Sequence, residues 1–472
     1  MIPIIEYAGR DVAVFGLGRT GLSAAKALAA GGARVFAWDD NEDIRARAEA
    51  EGVSLSDINK RDWQTFAALV LSPGVPYKFP QPHRVVRMAE MSGIPIVGDM
   101  ELFARAVQAL PERGRPTIVG VTGTNGKSTT TALIGHILTE AGKDARVGGN
   151  IGRGVLDMDP LNANSVYVLE LSSYQLDLVK SLHCNVSVFL NISPDHLARH
   201  GGFDGYFSAK KRIFNNQTAR DFAIIGVDDL EGQSLSMSLS SASDANIVQI
   251  SSNYALGNGV SVIGGNLYET LTGRATKAGQ LNDIPTLRGR HNYQNAAAAF
   301  AACRALGVDR NVIMKAISNF PGLPHRLELA GSKDGVLFIN DSKATNAQAT
   351  EQALKAFKRV YWIAGGEAKS GGIDDLEPLF PRIAKAYLIG DAQDNFAKSL
   401  KSKASAVKCG TLDIAVREAL ADALKDNDPN SVVLLSPACA SFDQFKDFEA
   451  RGDAFKRIVA ELTGDSNYME SA

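Results

Sequence analysis

Cysteine is scarce in this chain of 472 residues: Cys184, Cys303, Cys409 and Cys439 stand far apart, with no metal-type spacing between them. That excludes a disulfide-stapled scaffold and a zinc ribbon, and leaves reduced, buried thiols in a cytoplasmic protein as the expectation. A basic excess is also missing: 50 Lys and Arg face 52 Asp and Glu, a formal net charge of −2. Proteins that grip a nucleic-acid backbone usually carry such an excess, so no nucleic-acid partner is expected. No apolar run approaches the length of a membrane span, and no basic segment followed by an apolar core opens the chain. Neither a membrane span nor a signal peptide is therefore expected. The alanine-rich stretch 296–302 is short and reads as a packed helix.

What is present is an ordinary globular balance, 45% apolar and 22% charged, over a length that fits about three domains. Three blocks of alternating strand and helix can be read. The first has strands at 11–15, 33–38, 67–72 and 94–98, with a helix at 22–30. The second starts near Pro116, with strands at 118–122, 166–171, 186–191 and 222–226. The third has strands at 336–340, 360–364, 386–389 and 432–436. Apolar strands alternating with helices make this an α/β chain of mostly parallel sheets covered on both faces. Proline- and glycine-rich stretches at 111–116 and 320–324 mark the junctions, giving expected domains at 1–110, 111–322 and 323–472. The Ser-, Gly- and Asn-rich segment 232–283 reads as a loose, partly β excursion with no chemistry of its own.

The most specific signal is Gly120-Val-Thr-Gly-Thr-Asn-Gly-Lys-Ser128, between an apolar β-type run and a helical one. Strand, glycine loop and helix start together cradle phosphate: backbone N–H groups close round the oxyanion, and Lys127 adds a full charge. Ser128 stands where a hydroxyl ligates the Mg²⁺ that accompanies ATP. The strict pattern wants glycine at 121, which is Val121, so the loop is a variant. The reading is a nucleoside-triphosphate site.

A second glycine motif, Gly16-x-Gly18-x-x-Gly21, follows the first strand, and Asp39 closes the next one. This is the dinucleotide fingerprint. It reports a nucleotide diphosphate on a helix N-terminus with an acid beside the sugar or base, and a UDP-sugar presents the same groups as NAD. Other residues gather at strand ends, which face the ligand crevice in open α/β sheets. Glu170 ends a buried strand and could hold Mg²⁺ with Ser128. His196 follows another strand and fits a metal or phosphate contact, while Lys210 alone reads as part of a solvated basic face. Asn292 and Asn295 share a helix face, where both can address an adenine edge. Loops carrying Arg326, Asp341, Lys343, Lys369 and Ser441 point to a small acidic substrate plus phosphate.

Together these motifs resemble the Mur ligase family. The variant loop 120–128 and the phrases Gly148-Gly-Asn-Ile-Gly152, Glu170-Leu-Ser-Ser173, Asp195-His196, His291-Asn292-x-x-Asn295 and His325-Arg326 match in order across essentially the whole chain. Asp341-Ser-Lys-Ala-Thr-Asn346 and Pro437-Ala-Cys-Ala-Ser-Phe-Asp-Gln-Phe-Lys446 resemble the family's D-glutamate-adding branch. The resemblance implies a Rossmann-like N-terminal domain, a central P-loop ATPase-like domain and a Rossmann-like C-terminal domain. It also implies ATP-dependent ligation of D-glutamate to UDP-N-acetylmuramoyl-L-alanine through an acyl phosphate, in the cytoplasm; a monomer is the expectation, though the sequence leaves the oligomeric state open.

The residue roles that the resemblance implies are specific. Gly123, Thr124, Asn125, Gly126, Lys127, Ser128 and Thr129 would hold the ATP phosphates, with Asn292, Asn295, Arg326 and Asp341 around the nucleotide. Ser128 and Glu170 would bind one Mg²⁺; His196 and a carbamylated Lys210 would hold a second. Lys127, Lys210, His196 and Glu170 would carry the catalysis. Arg19, Thr20 and Asp39 would meet the uridine part, Ser72 and Gly74 the diphosphate, and Asn150 the muramoyl group. Lys343, Thr345, Lys369, Ser441 and Phe448 would line the D-glutamate pocket, and the third domain would close onto ATP. Two positions depart from the family pattern: Glu367 stands where Asp is expected, and Asp40-Asn41 removes a cation from the uridine rim. A folylpolyglutamate-synthetase-like ligase, a nicotinamide dehydrogenase and a non-catalytic nucleotide-binding regulator remain the alternatives.

Overall fold

Strands that are apolar on both faces need cover on both faces, and this chain supplies it by alternating them with helices. A computed structural model describes the chain except residues 288, 368–371 and 465–472, and the side chain of Pro285. The chain separates into two compact units, Met1–Phe320 and Pro321–Ala472.

The first unit holds two sheets. In the smaller, Asp11–Phe15 lies between Arg34–Trp38 and Ala68–Leu71, and Ile96–Val97 pairs beyond the latter, all parallel. In the larger, nine-stranded sheet, Thr117–Thr122 is an interior strand, third from one edge, flanked in parallel by Ser165–Glu170 and Val186–Phe189. One hydrophobic core runs through both sheets, joining Val12 and Val14 of the first to Leu169 and Phe189 of the second. The helix Asp99–Gln108 contributes Phe103, whose ring lies 5.4 Å from that of Tyr167. Burying a side chain of that size stabilises by roughly 1.5–3 kcal/mol. The alanine run 296–302 is buried in the helix Arg290–Ala305, and its small side chains permit close packing on the helix Lys127–Glu140.

The segment 232–283 is not the loose excursion expected. Asp229 caps a helix, Leu230–Ala242, by accepting from Gly232 N at 2.7 Å. Strands Asn246–Ser251, Gly259–Ile263, Asn266–Glu269 and Thr276–Gln280 then extend the nine-stranded sheet. The helix tolerates serine because Ser240 and Ser241 return their hydroxyls to carbonyls one turn back. The strands hold because Val260, Val262 and Leu267 are buried. The half-exposed edge strand Asp144–Gly149 carries no continuous apolar run and was not expected.

In the second unit, a six-stranded sheet has Ser431–Leu435 between Val336–Asn340 and Arg359–Gly365, with Ile383–Ile389 and Ala406–Gly410 beyond. These strands run parallel; Glu328–Lys333 adds an antiparallel edge. All four cysteines are free and buried. Among the described residues, no helix is long and apolar enough to cross a membrane.

Candidate active site

The strand Thr117–Thr122 delivers residues 123–126 to the start of the helix Lys127–Glu140. Gly126 takes φ +82°, and a Cβ there would lie 2.1 Å from Asn295 Oδ1, so the turn admits only glycine. The loop is pinned from outside: Thr124 N donates to Asn191 O at 3.0 Å and Asn125 N to Asn191 Oδ1 at 3.0 Å. Thr124 Oγ1 also meets the Tyr206 hydroxyl at 3.1 Å. Lys127 curls back over the loop, its Nζ donating to Gly123 O at 3.0 Å and Thr124 O at 2.9 Å. Ser128 and Thr129 are half-buried in the helix's first turn.

Lys210 is not on a solvated face. The helix Phe203–Lys211 turns it inward, with 1% of its surface exposed, and its Nζ donates to Gly123 O at 2.7 Å. Burial, reinforced by the charge of Lys127, lowers its pKa to about 7. Glu170 ends its strand 3% exposed. Its Oε1 accepts from Asn150 Nδ2 at 2.7 Å, while Oε2 is buried without a hydrogen-bond partner. A buried carboxylate oxygen left unpaired costs stability unless something positive meets it. Such a donor set suits a hard cation. His196 sits in a left-handed turn at φ 52°, half-exposed, against Asp195 at 3.4 Å and the Tyr174 ring. A non-glycine residue in that region is strained, as occurs at functional loops. No cluster of three His, Cys, Asp or Glu able to hold a metal occurs among the described residues. The expected ligands include only two such residues, with a hydroxyl and a modified lysine beside them.

Asn292 and Asn295 do share a face, but their amides meet each other: Asn295 Nδ2 donates to Asn292 Oδ1 at 3.0 Å. Thr130 Oγ1 donates to Asn295 Oδ1 at 3.3 Å, so Asn295 braces the phosphate loop from behind.

The first glycine motif lies at the end of the smaller sheet. Gly21 packs so tightly that a Cβ would lie 1.7 Å from Gly16 O, whereas Gly18 has open space around it. Thr20 Oγ1 and Ser72 Oγ are 3.2 Å apart, which brings two expected substrate contacts together. Asp39 Oδ2 accepts from Leu17 N at 2.7 Å. Arg19 reaches the central block, donating to Asn150 O at 2.9 Å and Gly152 O at 3.0 Å. Arg199, which the sequence did not single out, donates to Pro73 O at 2.8 Å and Val75 O at 2.5 Å, tethering the loop that carries Gly74. The rim near Asp40 does not lack cations. Arg45 stacks on Trp38 with its guanidinium carbon 4.6 Å from the ring centroid, and Arg84 pairs with Asp40 at 2.7 Å.

In the second unit, Asp341 is buried and accepts from Ser436 Oγ at 2.8 Å and Leu327 N at 3.2 Å. Burial pushes its carboxyl up to about 7, against the lowering effect of Arg326. Lys343 lies 5.6 Å from the centroid of the Phe448 ring, and Ser342 Oγ donates to Phe448 O at 2.8 Å. Ser441 is buried, and Thr345 is half-buried with its N–H donated to Lys343 O at 2.9 Å. Glu367 exchanges two backbone hydrogen bonds with Ala440 at 3.0 and 3.1 Å. Lys369 lies outside the described residues.

Three family models match the chain in order. They are a Mur ligase MurD-like N-terminal domain at 10–98, the Mur ligase middle domain at 121–303, and the Mur ligase glutamate ligase domain at 325–439. The UDP-N-acetylmuramoylalanine–D-glutamate ligase of Phenylobacterium zucineum is 55% identical over 462 residues, 98% of each chain. The ligase of the same name from Caulobacter vibrioides is 54% identical over 463 residues, again 98% of each. The crystal structure of a UDP-N-acetylmuramate–alanine ligase from Thermotoga maritima covers 98% of this chain and all of its own, with a TM-score of 0.56 at 18% identity. That last likeness is one of fold. Matched along its length by all three models and by relatives sharing more than half their residues, the chain belongs to the Mur ligase family.

Proposed function

We propose that this protein joins D-glutamate to UDP-N-acetylmuramoyl-L-alanine with cleavage of ATP to ADP and phosphate, a cytoplasmic step of peptidoglycan synthesis. The observation that carries the reading is the phosphate loop: two lysines and an unpaired, buried glutamate oxygen surround a glycine cradle. Full-length relatives that bear this activity in their names support the choice of substrates. The working division is 1–110 for the UDP substrate, 111–322 for ATP and 323–472 for the amino acid.

A carboxylate is a poor electrophile. In the reading, the L-alanyl carboxylate attacks the γ-phosphorus of ATP, ADP leaves, and an acyl phosphate results. The D-glutamate amine then adds to the acyl carbon, loses a proton and expels phosphate. Negative charge gathers in both steps, so fixed cations and N–H donors are worth most there. Residues 123–129 hold the phosphates, with Lys127 on the transferred group. Thr20, Ser72, Gly74 and Asp39 hold the uridine diphosphate, with Arg19 fixing the neighbouring loop. Asn292 and Asn295 shape the nucleotide side within the first unit, and the family resemblance assigns Arg326 and Asp341 of the second unit to the nucleotide as well. Lys343, Thr345, Lys369, Ser441 and Phe448 receive D-glutamate, whose two carboxylates call for cations and hydroxyls.

The donor set fits Mg²⁺: Ser128 and Glu170 would hold one ion, and His196 with a carbamylated Lys210 a second. Bound there, Mg²⁺ neutralises phosphate charge. Lys210 suits carbamylation because its buried amine loses its proton near neutrality. The neutral Nζ adds to CO₂ and releases a proton, which turns a cation into an anionic oxygen donor. The reading is tested by phosphate release with ATP, Mg²⁺ and the UDP substrate against a panel of D- and L-amino acids. D-glutamate alone should sustain turnover; equal turnover with other amino acids would contradict it.

A further inference from the structure

Arg451 lies in the first turn of the helix Phe448–Thr463, with 1% of its surface exposed. Its guanidinium donates four times, always to neutral oxygen. Nε donates to Ser342 Oγ at 3.0 Å, and Nη2 to Ser342 O and Cys439 O, each at 3.0 Å. Nη1 donates to Ala440 O at 3.1 Å. Asp443 acts on it only from a distance, and among the described residues no carboxylate forms an ion pair with it. A buried charge without a counter-ion is costly, and neutral acceptors offset only part of that cost.

The four bonds reach two loops. Ser342 belongs to the Asp341–Asn346 motif, and Cys439 and Ala440 to the Pro437–Lys446 motif. A third loop closes on the same group: a Cβ on Gly366 would lie 3.1 Å from Nη1. The guanidinium is thus the common floor of three strand-end loops, beneath the segments that carry Lys343 and Ser441. Arginine suits this place because its planar fork ties several acceptors at once.

We propose that Arg451 is a positioning residue for the acidic amino-acid substrate: it locks these loops in register and, with no carboxylate ion-paired to it among the described residues, leaves a positive charge for an acidic substrate to balance. This rests on the ligase reading above. The test compares Arg451→Met and Arg451→Lys with the wild type by steady-state kinetics, with circular dichroism melts as a check on folding. Arg451→Met should raise the KM for D-glutamate at least 30-fold while leaving the KM for ATP and for the UDP substrate within twofold. Arg451→Lys, which keeps the charge but not the fork, should raise the D-glutamate KM between 3- and 10-fold. Should Arg451→Met fail to fold, Arg451→Lys decides alone. An unchanged D-glutamate KM in folded Arg451→Lys, an equal rise in all three KM values, or failure of both variants to fold would overturn the proposal. A wild type that does not ligate D-glutamate would instead sink the ligase reading.

Discussion

Lys127 and Lys210 donate to the same atom, the carbonyl oxygen of Gly123, at 3.0 and 2.7 Å. Two ammonium groups at one carbonyl repel each other, and burial of Lys210 sharpens the conflict. The pair makes sense where anions arrive: phosphate for Lys127, and conversion of Lys210 itself into an anion.

Removing Lys127 takes away the charge aimed at the transferred phosphate. Lys127→Ala should lower kcat for phosphate release by on the order of 10²–10³-fold, the scale of a lost transition-state donor. Near-normal turnover would move the triphosphate site elsewhere.

Lys210→Ala should be as severely impaired, but for a different reason, and the difference is measurable. If the side chain acts as a carboxylate, a small carboxylate such as acetate or formate should restore part of the lost activity. It should not rescue Lys127→Ala. Equal response of both variants, or none by Lys210→Ala, would reject the carbamate.

Asn150 holds one oxygen of Glu170 and leaves the other unpaired. Asn150→Ala should free the carboxylate to rotate. The Mg²⁺ concentration for half-maximal activity should rise by about 10-fold or more, as for lost groups that orient a metal ligand. Arg19→Met should raise it less, because Arg19 holds only the backbone of that loop. An unchanged Mg²⁺ titration in Asn150→Ala would contradict this role.

Asp341 gives a pH dependence of known sign. Its carboxyl is pushed up to about 7 by burial, whereas Asp in an unfolded chain titrates near 4. Between those values the native state holds more protons, so the stability Asp341 contributes is lost as pH rises through about 7. Asp341→Asn stays neutral. Relative to the wild type, its Tm should therefore gain a few degrees between about pH 5 and about pH 8. A difference in Tm that does not change with pH would contradict it.

Much of this was legible because the relevant residues are local in sequence. The cradle at 120–128 places strand, glycines, lysine and helix within one short run, and Glu170 follows a run of buried apolar residues. Lys210 was harder: nothing in Ser208-Ala-Lys-Lys-Arg-Ile-Phe214 distinguishes the lysine that turns inward from its exposed neighbours. Arg199 and Arg451 were invisible for another reason. Their partners are mostly backbone carbonyls of other loops, and carbonyls leave no mark in a sequence. The segment beyond residue 230 was expected to be loose and only partly β because its composition is rich in Ser, Gly and Asn; its helix and the ordered extension of the sheet follow from packing, which composition does not show.

The account stands most directly on whether ATP breakdown is coupled to joining. Phosphate release and product formation should be measured together, omitting each component in turn. The prediction is one phosphate per amide bond, with both signals falling to background when ATP, UDP-N-acetylmuramoyl-L-alanine or D-glutamate is left out. Product formed without ATP, or sustained phosphate release without D-glutamate, would contradict it.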